Sequence, residues 1–464
     1  MGGIGKASRY LQARRRLCAC LLALAPASVA LASPALSFDE AQRRLEQVSD
    51  ALAAADAAVR QRQDLQDATR YLRLPEITAE VRRLNFQKTI EVPLGPLEPL
   101  AQEFGIQGPL SRKYEDWRTR PVVSAVLPLY TGGQIPAAQR AAAAATDQAS
   151  AERESERQSL SVQLVQAYFG QQLAEMAAGI RKDTLAGLER HLSDAAKLER
   201  EGFATRAQRL QATVARDKAA REYQKAVNDL AILQTALATL LRSEKVVPTL
   251  SPLFVNHRPP GRLVEFEDAA RALHPQLNAL RATAAQAEQG VAVQQAKLKP
   301  QVYLFGQYDL RRRDQLLDDA DWAVGIGMRY TLLSPQDRPR QVSAARAQLQ
   351  RAEAGIREAE NQVVLGVRKA WYELDTAREQ YRLLGSSIAQ AQENLRLQEL
   401  SYREGQATSL DVIDARLALG GARVERAQAA YQYDVALAML LEVSGQMHRY
   451  DEFRRRADQT LAHD

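Results

Sequence analysis

The chain has 464 residues, with 62 Lys and Arg against 56 Asp and Glu. Five of those cations lie in residues 1–32, and the remaining cations nearly balance the acids, so the charge does not indicate a nucleic-acid partner. Both cysteines, Cys18 and Cys20, lie in the same segment and the five histidines are scattered, which argues against structural disulfides and against a metal site.

Residues 1–32 have the composition of a secretory signal peptide. A basic start precedes an apolar run over residues 17–31, and Ala30–Ala32 offers a small-residue cleavage site. An uncleaved N-terminal membrane anchor is the alternative, but the apolar run is shorter than the roughly 20 residues of a spanning helix. We therefore expect an exported chain that begins near residue 33.

Two copies of a similar unit follow, which predicts an internally duplicated fold. The segments Glu201–Thr205 and Glu404–Thr408 match, and the same offset aligns their flanks without a gap. We therefore assign residues 33–255 to a first structural repeat and residues 256–464 to a second. Each repeat is expected to contain a helix, a strand pair and a helical hairpin. The strand pairs fall at about 75–130 and 300–333, the hairpins at about 137–246 and 340–445, and a short tail ends the chain.

The strand pairs are predicted from apolar residues at every second position. The pattern is weak around Ile77–Val81 and Val123–Leu129 in the first repeat, and clear at Val302–Leu310 and Trp322–Tyr330 in the second. The segment Lys88–Arg120 is rich in Pro and Gly, residues that favour turns, and we expect an extended outer loop there.

The segment from Trp322 to Tyr330 has the features of a transmembrane β-strand. One face is apolar with an aromatic residue at each end, and its length along a strand is roughly 27 Å. A soluble sheet that covers a core predicts the same alternation and is the alternative. The side chains expected to face lipid are Trp322, Val324, Ile326, Met328 and Tyr330.

The helical hairpins are predicted to be long. No proline occurs between Pro136 and Pro248 or after Pro339, and strong helix formers dominate both stretches. A helix over residues 137–200 alone would extend for roughly 95 Å. Apolar residues spaced by three and four form a heptad seam typical of a coiled coil, although one face of an ordinary bundle has the same spacing. The seam residues are Leu374, Ala377, Tyr381, Leu384, Ile388, Ala391, Leu395 and Tyr402.

A glycine and a capping residue interrupt each long stretch near its middle. Glycine can adopt the left-handed conformation that ends one helix, and a threonine three residues later can cap the next. A residue at capping-box spacing follows each threonine. Each stretch is therefore predicted to fold back as an antiparallel hairpin. The tip residues are Gly202, Thr205 and Gln208 in the first repeat, and Gly405, Thr408 and Asp411 in the second.

Four strands per chain are too few to close a membrane barrel, since the smallest has about eight. Several chains must therefore share one barrel, related by rotational symmetry. Helical hairpins from each chain would continue that barrel as a tube.

Two segments resemble the TolC family of outer-membrane channel proteins. Tyr402–Ala415 is similar to the family's tyrosine, glycine and paired-aspartate segment, and Leu129–Gln134 resembles its turn from strand to helix. The resemblance covers essentially the whole chain after the signal peptide. It implies a homotrimer whose twelve strands form one β-barrel in the outer membrane, continued by a periplasmic α-helical coiled-coil tube that closes at its far end. It also implies a periplasmic adaptor and an inner-membrane pump as partners.

The resemblance further implies roles at the periplasmic entrance. Asp411 and Asp414 would ring the constriction, and Tyr402 would help hold it shut. Two aspartates three residues apart share a helix face, and three copies would bring six carboxylates together. From the residues alone, Asp411 can instead complete a helix cap and Asp414 can favour the helix N-terminus. The chain departs from the family pattern at Ala407 and Gln208, where the best-known member has charged groups that tether the closed state.

These features predict a passive outer-membrane channel for efflux or type I secretion, opened when an adaptor engages the tips at Gly202, Thr205, Gly405 and Thr408. A soluble periplasmic coiled-coil adaptor is the alternative, and it requires the strands to be soluble. A general porin fits less well because most of the chain is helical. No group of side chains suggests catalysis, so we expect neither an enzyme nor a bound cofactor. No motif indicates the cargo.

Overall fold

The computed structural model describes residues 35–310 and 321–461, and most of them are helical. This confirms the prediction of a mainly α-helical chain. None of the helices in these two ranges combines the length and the hydropathy that a membrane-crossing helix requires. The helices are α1 (Phe38–Val48), α2 (Asp50–Thr69), α3 (Glu98–Glu103), α4 (Gln134–Arg200), α5 (Arg206–Leu240), α6 (Leu263–Leu273), α7 (Pro275–Ala296), α8 (Arg338–Arg403), α9 (Ser409–Val443) and α10 (Tyr450–Arg455).

Four of these helices form two long hairpins, α4 with α5 and α8 with α9. With 67 residues, α4 extends for about 100 Å at 1.5 Å per residue. The shorter helix α2 packs on α4, and α7 packs on both α4 and α8, so it joins the two hairpins laterally. The predicted signal peptide lies outside the described residues.

The predicted heptad seam of α8 faces the interior of the helical assembly. All eight of its residues are buried or half-buried, whereas most of their neighbours on α8 are exposed. Leu374, Ala377 and Tyr381 belong to the main hydrophobic core, and Leu395 and Tyr402 belong to a smaller cluster close to the end of α8. The three-and-four spacing therefore identifies the packed face along most of this helix.

Within residues 35–310 and 321–461, six strands form two antiparallel sheets. The larger sheet has the order β1-β2-β4-β5, and the smaller one pairs β3 with β6. In the larger sheet one side of β1 and one side of β5 have no strand partner within the described residues. The four strands of the larger sheet match the predicted four barrel strands per chain. The strands are β1 (Glu76–Val92), β2 (Leu110–Tyr130), β3 (Leu253–Val255), β4 (Gln301–Asp309), β5 (Trp322–Arg329) and β6 (Gln459–Leu461).

The prediction of an extended loop over Lys88–Arg120 is wrong for about half of that segment. The pairing of β1 with β2 continues without a break to Val92 and Leu110, so only residues 93–109 connect the two strands. The prolines and glycines of the segment are concentrated in this short connection, which contains α3. The flanking polar residues remain in the strands because cross-strand backbone hydrogen bonds form irrespective of side-chain polarity.

The main core is built by aromatic side chains from distant parts of the sequence. The rings of Phe38 and Phe169 stack with their centroids 5.4 Å apart, and Phe254 meets Tyr450 at 5.9 Å. The pairing of β3 with β6 brings the end of the chain to the segment that follows the first helical hairpin. Burial of these rings therefore fixes α1 and α10 against the long helices.

Asp434 is fully buried in α9 beside this core. Its Oδ2 atom accepts a hydrogen bond of 3.4 Å from the backbone N–H of Phe254. Burial raises the pKa of the Asp434 carboxyl well above its usual value of 3.8. The folded chain therefore holds the protonated carboxyl at pH values where the unfolded chain has already lost that proton.

We expect Asp434→Asn to stabilise the protein by an amount that increases with pH. Between the usual pKa and the raised one, the folded state binds one proton more than the unfolded state, so wild-type stability falls by up to about 1.4 kcal/mol per pH unit. Asparagine has no such proton to hold, and its carbonyl oxygen can still accept from Phe254. Melting temperatures measured from about pH 5 to about pH 8 should show a widening gap. The exposed Asp183→Asn variant is the control; a constant gap for both variants would contradict the prediction.

Candidate functional site

Both hairpin tips consist of a left-handed glycine followed by a helix cap. Gly202 has a φ of +84° and Gly405 a φ of +74°, a region that residues with a Cβ rarely adopt. Thr205 then caps α5 and Thr408 caps α9, each within a capping box of the predicted spacing. The local sequence thus ends one helix and starts the next within a few residues.

The two tips lie side by side. The Ser409 hydroxyl, at the start of α9, donates a hydrogen bond of 3.5 Å to the backbone carbonyl of Gln208 in α5. A cavity of about 410 Å³ lies between the tips and is lined by residues of both, including Gln208 and Ala407. The two positions at which the chain departs from the family pattern therefore border the same space.

Asp411 is part of the cap of α9. Its Oδ2 atom accepts hydrogen bonds from the backbone N–H and the hydroxyl of Thr408, at 2.8 Å and 2.7 Å. These bonds favour the charged form and lower the pKa of the exposed carboxyl. Asp414 is also exposed, whereas Val412 and Ile413 between the two aspartates are buried. Both carboxylates therefore lie on the solvent-exposed side of the first turns of α9.

Tyr402 is buried near the end of α8, where its ring packs against the imidazole of His191 from α4. The two ring centroids are 4.9 Å apart. Burial raises the pKa of the Tyr402 hydroxyl, and the negative charge of Asp194 raises it further. The three residues predicted at the entrance therefore occupy one region of the tip, with Tyr402 inside it and the two aspartates on its surface.

His191 links α4 to the start of α9. Its Nε2 atom lies 2.7 Å from the hydroxyl oxygen of Ser409, the first residue of α9, and both side chains are buried. Burial lowers the pKa of the imidazole, and the guanidinium of Arg416 lowers it further. Arg416 forms an ion pair with Glu399 of α8. The tip thus contains a group of polar side chains, buried at His191 and Ser409 and half-buried at Arg416 and Glu399, that connects α4, α8 and α9.

This polar group is absent from the predicted site, because scattered histidines were expected to act at most as metal ligands. A signal was present, since His191 lies between Leu188 and Ala195 at the three-and-four spacing of a buried helix face. Gly187 is a second signal. A Cβ atom there would lie 1.9 Å from Arg416 Nη1, so the glycine provides the space in which the guanidinium packs.

The predicted lipid-facing side chains share one exposed face at the edge of the larger sheet. Their exposed fractions range from 53 to 71% in the single chain. On the opposite face, Gly325 and Gly327 are covered by aromatic rings of β4; a Cβ atom at Gly327 would lie 2.6 Å from the ring of Tyr303. The face contains Trp322, Val324, Ile326, Met328 and Tyr330.

This face and the hairpin tips lie at opposite ends of α8. The helix begins at Arg338, shortly after β5, and ends at Arg403 beside the second tip. Its 66 residues extend for about 100 Å. The chain therefore separates an exposed apolar sheet from a polar helical tip by the length of one helix.

Comparisons with known proteins agree with this architecture. Residues 268–446 match the family model described as outer membrane efflux protein. The outer membrane efflux protein BepC of Brucella suis biovar 1 (strain 1330) is 26% identical over 312 residues, which are 66% of this chain and 68% of BepC.

Solved structures share the fold at low sequence identity. The outer-membrane channel OprN superposes with a TM-score of 0.74 and 18% identity, over 88% of this chain and 90% of OprN. CusC gives a TM-score of 0.74 and 16% identity, over 88% and 92%. VceC of Vibrio cholerae gives 0.70 and 18%, over 88% and 96%. This chain is therefore similar to outer membrane efflux proteins in sequence over residues 268–446, and it shares the fold of the outer-membrane channel OprN over 88% of its length.

Proposed function

We propose that the chain is a passive outer-membrane efflux channel, the exit duct of a tripartite pump. One observation carries the proposal: a sheet with an exposed apolar face stands about 100 Å from a pair of helical tips, at the other end of α8. A duct that crosses the outer membrane and reaches into the periplasm needs both parts at that separation. The alternative is a soluble adaptor, and a soluble protein rarely exposes a large apolar sheet face to water.

The functional unit that we propose is a homotrimer. The larger sheet has four strands, and β1 and β5 each have one side without a strand partner within residues 35–310 and 321–461. Pairing the β1 edge of one chain with the β5 edge of the next satisfies both edges and lets three chains form a twelve-stranded barrel. Trp322, Val324, Ile326, Met328 and Tyr330 would then contact lipid.

We further propose that the helical tips form the periplasmic entrance. Three copies of Asp411 and Asp414 would supply an acidic ring that prefers cations. The buried Tyr402 would help to hold the entrance closed. The tip residues Gly202, Thr205, Gly405 and Thr408 would contact a periplasmic adaptor. The inner-membrane pump would supply the energy, because the proposed duct performs no catalytic step and uses no cofactor.

The proposed organisation along the chain completes this assignment. Residues 1–32 would direct export, and residues 33–255 and 256–464 would be two repeats of one unit. A wide lumen shared by three chains selects little, so cargo selection would belong to the pump. The same duct would serve a type I secretion system if its pump exported a polypeptide.

Two measurements test the proposed function. Extraction of cell envelopes at high pH should leave the protein in the membrane fraction, whereas an adaptor would be released. Purified protein in a planar lipid bilayer should then give discrete current steps that prefer cations. A protein released at high pH that gives no current would refute the channel.

A further inference from the structure

The contact between His191 and Ser409 joins the two hairpins at the start of α9, beside the proposed entrance. Ser409 is the first residue of α9, directly before the turns that carry Asp411 and Asp414. His191 Nε2 approaches its hydroxyl to 2.7 Å, and the imidazole ring also packs on Tyr402. A single side chain of α4 therefore contacts both helices of the second hairpin at its tip.

The surroundings of the imidazole favour its neutral form. The ring is buried, and the Arg416 guanidinium opposes a second positive charge, although Asp194 and Glu399 act in the other direction. From α5, the backbone carbonyl of Gln208 accepts a hydrogen bond from the Ser409 hydroxyl. A cavity of about 550 Å³ adjoins the ring. The charged residues around this cavity are Arg190, Asp194, Lys197, Glu201, Glu399, Arg403 and Arg416.

We propose that His191 is a positioning residue for the entrance: it holds the first turn of α9 against α4, and it releases that turn when the imidazole takes up a proton. The effect of release on conductance rests on the proposed channel function. The contact itself does not, because it lies within one chain.

The expected pH dependence follows from the two protonation states. Burial and Arg416 lower the pKa of the packed imidazole, whereas a released and solvated imidazole regains its usual value of 6.5. The released state therefore binds more protons, and the packed state is favoured less as the pH falls below that value. The packed contact is fully stable above about pH 6.5 and weakens towards the lowered pKa. Protonation does not remove the hydrogen bond to Ser409; the destabilisation comes from desolvation and from Arg416.

A thiol at Val412 can report release of this turn. Val412 is buried beside His191 in the same part of the tip, with 1% of its surface exposed. Both native cysteines lie in the predicted signal peptide, so Val412→Cys provides the only thiol expected in the exported protein. The labelling rate at each pH is divided by that of Phe203→Cys, an exposed position at the first tip, which removes the intrinsic pH dependence of the thiol reaction.

The normalised rate at Val412→Cys should rise by up to about tenfold between pH 7.5 and pH 5.5, the limit for one proton that the released imidazole binds with its usual pKa of 6.5. Adding His191→Gln should abolish the rise, because the amide can still bond to Ser409 but does not titrate. Adding Arg416→Gln should reduce the rise, because the remaining Asp194 and Glu399 favour the imidazolium. A labelling rate that does not change with pH when His191 is present would overturn the proposal. So would a rise that stays as large as with His191 and Arg416 intact after either His191→Gln or Arg416→Gln is added.

Bilayer currents separate this proposal from the channel function. With His191 present, the fraction of time in open steps should be greater at pH 5.5 than at pH 7.5, and His191→Gln should remove the difference. Currents that respond equally to pH with and without His191 would overturn the positioning role and leave the channel intact. Absence of current together with the expected labelling would refute the channel and support the contact.

Discussion

Replacing Ile326 with Lys is expected to prevent assembly of the protein in the outer membrane. Ile326 lies midway along the exposed apolar face of β5, paired with Leu304 of β4, and 71% of its surface is exposed. On the proposed barrel this position faces the middle of the bilayer, where a lysine costs about 2–4 kcal/mol per chain. A trimer bears this cost three times, so we expect almost no trimer in outer-membrane fractions separated on native gels.

The opposite face of the same strand provides the matched control. Ala323 is also exposed in the single chain, but its side chain shares a face with Arg329, which already brings a positive charge there. Ala323→Lys should therefore assemble as well as the wild type. Equal recovery of the two lysine variants would show that the apolar face of β5 does not contact lipid.

Neutralising Asp411 and Asp414 together is expected to remove most of the cation preference of the proposed channel. Both carboxylates lie on the exposed side of the first turns of α9, and three chains would bring six of them around one axis. Asparagine at position 411 can still accept the hydrogen bond from the Thr408 backbone, so the helix cap is retained. We expect the ratio of K⁺ to Cl⁻ permeability, measured from reversal potentials in a salt gradient, to fall to near one.

The single variants and a nearby acid test the assignment further. Of the two single variants, Asp414→Asn should cause the larger loss of cation preference, because the cap of α9 is formed by Thr408 and Asp411. Glu404→Gln removes an exposed acid from the second tip without touching the first turns of α9 and should leave the ratio unchanged. A double variant that keeps its cation preference would show that the aspartates serve only the helix.

The tips illustrate which parts of the candidate site the sequence predicts. A left-handed glycine and a threonine cap depend on a few consecutive residues, so the turns at Gly202 and Gly405 could be located from spacing alone. The contact of His191 with Ser409 joins residues that are far apart in the chain. Nothing local to either residue specifies that contact, because it depends on how the two hairpins pack.

The strands show the same distinction. The alternation from Trp322 to Tyr330 identified β5 and its exposed face, because strand periodicity depends only on neighbouring residues. The extent of β1 and β2 was not predictable in this way. Polar residues on both sides of the connection remain paired because each strand supplies the other's backbone hydrogen bonds, a condition that exists only once the strands meet.

The sequence by itself therefore determined the helix lengths, the hairpin tips, the apolar face of β5 and the duplication, since each rests on local periodicity or on repeated motifs. Only the tertiary structure decided how far β1 and β2 pair, how β3 and β6 bring the chain end back to the core, and which buried polar group joins α4 to α9. These features depend on contacts between distant segments, whose energies of burial and hydrogen bonding are not expressed in any single stretch of sequence.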